Sequence, residues 1–71
     1  MKNKKTDPRT ILIGKRVIVR KTNFSLRFLI ERIDGNLLEG PVEVASPNCP
    51  FPVDSIYSVS ENEIKYYPII S

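Results

Sequence analysis

Side chains able to do covalent or acid–base chemistry are few in this chain. Its 71 residues include one cysteine, Cys49, and no histidine. A thiol attacks as the thiolate, which needs a neighbouring base or a positive environment. Cys49 stands between Asn48 and Pro50 and reads as an ordinary loop or core thiol. One thiol without imidazoles also falls short of the ligand set of a zinc site. Asp54, Glu61 and Glu63 are candidates for an acid–base pair or a divalent-cation site, but their spacing matches no metal loop and they read as solvated surface. Gly14, Gly35 and Gly40 are too scattered to cradle a phosphate. No catalytic, cofactor-binding or metal-binding residue is assigned. The expectation is a non-catalytic binding module rather than an enzyme, with no cofactor.

The basic residues are more informative. Residues 1–32 hold ten Lys or Arg against two acidic groups, a net of +8; residues 33–71 hold one Lys against six acidic groups, a net of −5. Arg16 and Arg20 share one face of an alternating segment around Ile18, and Arg27 falls on the segment that follows. With the lysine-rich start, where Lys4 and Lys5 follow Lys2, they form a candidate positive stripe for a phosphate backbone. Phe24, Phe51, Tyr57, Tyr66 and Tyr67 are the candidates for stacking on bases. The competing reading is that the two halves are neighbouring strands whose charges neutralise each other across a sheet, with the aromatics in the core.

A second set suits a protein partner. Pro50, Phe51 and Pro52 lie in residues 45–52, where three prolines stiffen a loop by fixing φ. Tyr66 and Tyr67 are adjacent, so in a strand one must point outward, and Tyr67 joins this set. Gly40-Pro41 predicts an edge position or a bulge. Pro68-Ile69-Ile70 is an apolar stretch that another surface should cover. Edge strands are templates for strand addition. The favoured reading is protein interaction, as an adaptor, an inhibitor or a small subunit of a larger assembly. The alternative is binding of RNA or single-stranded DNA, and homo-oligomerisation is compatible with either.

The elements that must position these residues are short. Residues 1–7 are polar and lysine-rich and read as a disordered arm; residues 8–71 read as one small domain. Thr6-Asp7-Pro8 suits a helix start and Gly14 its stop, although β-branched Ile11 and Ile13 suit an extended segment nearly as well. Val17 and Val19 alternate with Arg16, Ile18 and Arg20. Phe24, Leu26, Phe28 and Ile30 then recur at spacing two, with a helix as the competing period. Asp34-Gly35 is a hairpin signal, and Leu38, Gly40, Val42 and Val44 share a face of the returning strand. Val53, Ser55, Tyr57 and Val59 alternate again, and residues 64–70 read as a last strand. The fold class expected is mainly all-β: five short, strongly bent strands, with a helical turn or an extended segment in front.

This order of elements resembles the SH3-like small barrels, and among them the Sm-like arrangement of a short helix followed by five bent strands. The resemblance rests on Gly14-Lys15-Arg16-Val17-Ile18-Val19, on the hairpin from Ile33 to Gly40, and on Val53 to Val59. The first of these segments is also similar to the opening of barrels that bind ribosomal RNA or transcription factors. The resemblance implies a small barrel and carries over no functional residue. A lone free cysteine fits a reducing compartment. The basic start is followed by no apolar h-region, and the apolar runs of three or four residues are far below the roughly 20 that span a bilayer. A cytoplasmic protein without a membrane partner is expected.

Overall fold

The computed structural model describes residues 8–71. The expected arm at residues 1–7, with Lys4 and Lys5, and the cap at Thr6-Asp7 lie outside these residues. Pro8–Leu12 form a 3-10 helix. The turn that follows it closes at Gly14, whose φ of +91° is open to glycine at little cost. The helical reading of this segment therefore holds over the extended one.

Six strands follow: β1 (Arg16–Arg20), β2 (Ser25–Leu29), β3 (Arg32–Asp34), β4 (Leu37–Ala45), β5 (Ile56–Ser60) and β6 (Ile69–Ile70), with a one-turn helix α1 (Glu61–Ile64) before the last. All pairings are antiparallel, in the order β3-β4-β2-β1-β6, and β5 also pairs with β4. The expected mainly-β, strongly bent sheet is present. It has six strands instead of five because the long second strand breaks between Leu29 and Arg32. Among the described residues it does not close into a barrel: there β5 pairs only with β4, and β6 only with β1.

The break explains Gly40-Pro41. The C-terminal part of β4 pairs with β2 (Phe28↔Val42), its N-terminal part with β3 (Arg32↔Glu39), and its other edge with β5 (Gly40↔Tyr57, Pro41↔Ile56). These two residues therefore lie in the sheet interior, and the expected edge is corrected. Pro41 stands opposite the break, where the ladder asks for no N–H. Gly40 is required by contact: a Cβ there would lie 1.5 Å from the Leu29 carbonyl oxygen. The side chains of Val17, Val19, Leu26, Phe28, Ile30, Leu38, Val42 and Val59 fill the inside of the bend.

Three local readings are corrected. Asp34 pairs with Leu37, so the hairpin turn is Gly35-Asn36, with positive φ at Gly35 (62°) and not at Asn36. That is the pattern of a type II′ turn, which has glycine first. β5 begins at Ile56 because residues 52–55 form a turn, with Ser55 N–H donating to the Pro52 carbonyl (3.1 Å) and Asp54 at φ +77°. The strand expected over residues 64–70 is reduced to Ile69–Ile70. Tyr66 and Tyr67 N–H groups turn back to the carbonyls of Glu63 and Ile64, and acidic Glu61 and Glu63 suit the first turn of a helix.

Candidate binding site

The outer face of β1, β2 and β4 carries the predicted basic residues. Ile18 pairs with Arg27, and Arg27 with Val44, so these three side chains form one row across three strands. Arg20 and Ser25 pair in the next row. Between Arg27 and Phe28 the register slips: Phe28 faces Val42, leaving Glu43 as an extra residue. Such a bulge puts two residues opposite one and re-aims side chains. Val44, expected on the core face with Val42, is instead 50% exposed. Glu43 reaches the same outer face. The result is a cleft of about 320 Å³ lined by Ile18, Arg20, Ser25, Arg27, Val44 and Ser46, among others. The Ser46 hydroxyl accepts the Ser25 N–H (3.0 Å) and fixes one wall.

Glu43 neutralises part of this face. Its Oε1 accepts from Arg16 Nε at 3.1 Å and lies 3.5 Å from Arg27 Nε. The second distance is an ion pair without a hydrogen bond, and Arg27 Nε is buried with no hydrogen-bond partner. Elsewhere Arg9 pairs with Glu61 (2.6 Å), Lys21 with Glu63 (2.8 Å), and Arg32 with Glu39 (3.2 Å) and Asp34 (3.7 Å). Each joins a base from the positive half of the chain to an acid from the negative half. Exposed pairs of this kind add at most about 1 kcal/mol each, so their main effect here is to cancel charge. Arg20 is exposed and joins no ion pair among the described residues.

The residues expected to meet a protein are placed differently. Pro50 and Pro52 are exposed. Phe51 is half-buried, its ring 4.9 Å from Tyr57 and 5.8 Å from Phe24, so it anchors the loop onto the core cluster. The Asn48 amide donates to the Asn23 carbonyl and ties the same loop to the β1–β2 hairpin. Tyr67 is half-buried and donates its hydroxyl to Glu63 Oε2, and Lys21 Nζ stands 5.6 Å from its ring centre. The Lys21 hydrogen bond and then the Tyr67 hydroxyl hold the Glu63 carboxyl below its ordinary range, and the Glu63 bond first, with Tyr67 next, raises the Lys21 ammonium. Burial is the chief cause pushing the Tyr57 hydroxyl up. Of the proposed stacking aromatics, Tyr66 stands out at 73% exposed.

Sheet edges are the remaining surface. β3 is three residues long with exposed Arg32 and Asp34, a charged edge that resists further pairing. β6 is two residues long. β5 differs: Ile56-Tyr57-Ser58-Val59-Ser60 contains no charge and no proline. Its hydrogen-bonding phase is set by Val42 N–H to the Ser55 carbonyl and Glu61 N–H to the Asn36 carbonyl. Alternation then directs Tyr57 and Val59 backbone groups to β4 and those of Ile56, Ser58 and Ser60 to the open edge. The Ile56 side chain is 63% exposed.

No helix among the described residues is long and apolar enough to cross a membrane. No family model, curated protein or solved structure matches the chain. The sequence placed Arg16 and Arg20 on one strand face and Arg27 on the following segment as a candidate stripe; strand pairing puts the three on one face, with Glu43 and Val44, which the sequence reading missed. Gly40-Pro41 signalled a bulge near them, not its position.

Proposed function

We propose that this chain is a non-catalytic protein-interaction module, an adaptor, inhibitor or small subunit, that takes an extended segment of its partner along β5. The observation that carries this reading is the uncharged five-residue edge of β5, unpaired among the described residues, in a sheet whose other edges are short or charged. The strand order, with the last strand beside the first, supports a likeness to SH3-like and Sm-like small barrels. The free thiol of Cys49 suits a cytoplasmic setting. A second copy of the chain could supply the partner strand. The second reading is RNA or single-stranded DNA binding, favoured by Arg16, Arg20 and Arg27 on one face; the ion pairs to Glu43 count against it.

The test is selection of extended peptides from a random library, followed by mapping of amide shifts. The reading predicts shifts at Ile56, Ser58 and Ser60, and loss of binding in Ser58→Pro, where proline removes an open-edge donor and is tolerated by an edge strand. A selection in which no peptide maps to β5, or in which those that do bind Ser58→Pro unchanged, would overturn it.

A further inference from the structure

We infer that the cleft on the outer face of β1, β2 and β4 is a docking site for an acidic peptide segment. An aliphatic side chain would sit on Ile18 and Val44, with a neighbouring carboxylate on Arg20. This site is separate from the β5 edge and does not depend on it.

Shape is the first argument. The bulge at Glu43 takes Val44 out of the core and lays it beside Arg27 in the row that begins at Ile18. A regular strand would have buried this valine. The cleft of about 320 Å³ is at the lower end of ligand pockets, with room for one or two side chains. Charge is the second. The face holds the guanidiniums of Arg16, Arg20 and Arg27 against the single carboxylate of Glu43, and that carboxylate hydrogen-bonds Arg16 alone of the three. Arg27 Nε lacks a hydrogen bond, and Arg20 lines the cleft with no ionic partner among the described residues. An entering anion meets an uncompensated positive rim. The lining is aliphatic and not aromatic, which suits an Ile or Leu side chain better than a base. Residues 1–7 hold three lysines against one aspartate and have the wrong sign to fill it.

The probes are blocked five-residue peptides in which Ile or Leu precedes Asp or Glu, with Asn or Gln counterparts as controls, titrated into the full chain and followed by amide shifts. The acidic peptides should move the signals of Ile18, Arg27 and Val44. Affinity should fall about fivefold on changing acid to amide, on the order of one partly exposed ion pair. Arg20→Gln should give the same fall with an unchanged melting temperature, and Glu43→Gln should bind more tightly than wild type. Equal binding of acid and amide peptides, or no dependence on Arg20, would overturn the site. So would tighter, Arg20-dependent binding of a short single-stranded RNA, which would make it a phosphate site. Shifts confined to Ile56 and Ser58 would sink this inference while leaving the β5 reading intact.

Discussion

Replacing Gly40 by alanine should remove most of the stability of this domain. The added Cβ would stand 1.5 Å from the Leu29 carbonyl oxygen, 2.7 Å from its carbon and 3.1 Å from the Glu31 nitrogen. All three are backbone atoms, so no side chain can swing away. Relief requires β4 to move by more than 1 Å from the β2–β3 junction, as a rough packing estimate. The pairs Phe28↔Val42 and Arg32↔Glu39 clamp the strands on either side of that point. Overpacking in a fixed site costs about 1–3 kcal/mol, and loosening the Glu31 N–H bond to the Glu39 carbonyl adds about 1 kcal/mol. A total near 3 kcal/mol corresponds to a fall in melting temperature of roughly 12–24 °C for a domain of this size. Such small domains hold about 5 kcal/mol in all. Gly35→Ala is the control within the same hairpin. Gly35 has nothing within 4 Å of a built Cβ, and its cost comes from φ of +62° alone, about 1 kcal/mol. Paired urea and thermal melts by circular dichroism read both. If Gly40→Ala is no more costly than Gly35→Ala, Leu29 does not press on Gly40 and the bend is misplaced.

Three further outcomes follow from the geometry. The Glu63 carboxyl is held below its ordinary value of 4.5, so its contribution is present above that pH and lost as pH falls through the lower folded value. Wild type should therefore lose more stability than Glu63→Gln on acidification below about pH 4.5; parallel urea midpoints in the two proteins would contradict this. Asp54 sits at φ +77°. Asp54→Gly should be neutral or stabilising by up to about 1 kcal/mol, and Asp54→Val destabilising by about 1–2 kcal/mol, in thermal melts. Phe51→Ala should cost about 2–3 kcal/mol because the ring is wedged between Phe24 and Tyr57; a loss under about 0.5 kcal/mol would instead mark the ring as a surface contact.

Period-two alternation was enough to place the inward faces of β1, β2 and β5, since each buries one side against the same core. It failed in β4 beyond Val42, because a bulge breaks alternation and depends on the partner strand's register, which no local pattern records. The hairpin was one residue out for a related reason: Asp34-Gly35 and Gly35-Asn36 both carry turn chemistry, and strand pairing chose between them. The C-terminal segment misled because Ile64, Tyr66 and Tyr67 are β-prone while Glu63 offers both a helical carbonyl and a carboxylate for Lys21 and Tyr67. The candidate site shows the same division. Arg16 and Arg20 were legible as a face and Arg27 as its neighbour on the next segment; that Arg27 joins that face, that Glu43 sits among them, and that Val44 opens beside them, needed the tertiary pairing.

The proposed protein-binding role rests on paired charge keeping the basic face from nucleic acid. Titration of labelled single-stranded RNA at about 50 and 200 mM salt tests it directly, with wild type, Glu43→Gln and Arg16→Glu/Arg20→Glu. Wild type should bind weakly, with a log–log salt slope no steeper than about −3, the share of Lys2, Lys4, Lys5 and Arg20 at roughly −0.7 each. Arg16→Glu/Arg20→Glu should weaken it only slightly, because of the two only Arg20 joins no ion pair among the described residues, and Glu43→Gln should bind more tightly by freeing Arg16 and Arg27. A steep wild-type slope that Arg16→Glu/Arg20→Glu abolishes would contradict the account and make the sheet face a nucleic-acid surface.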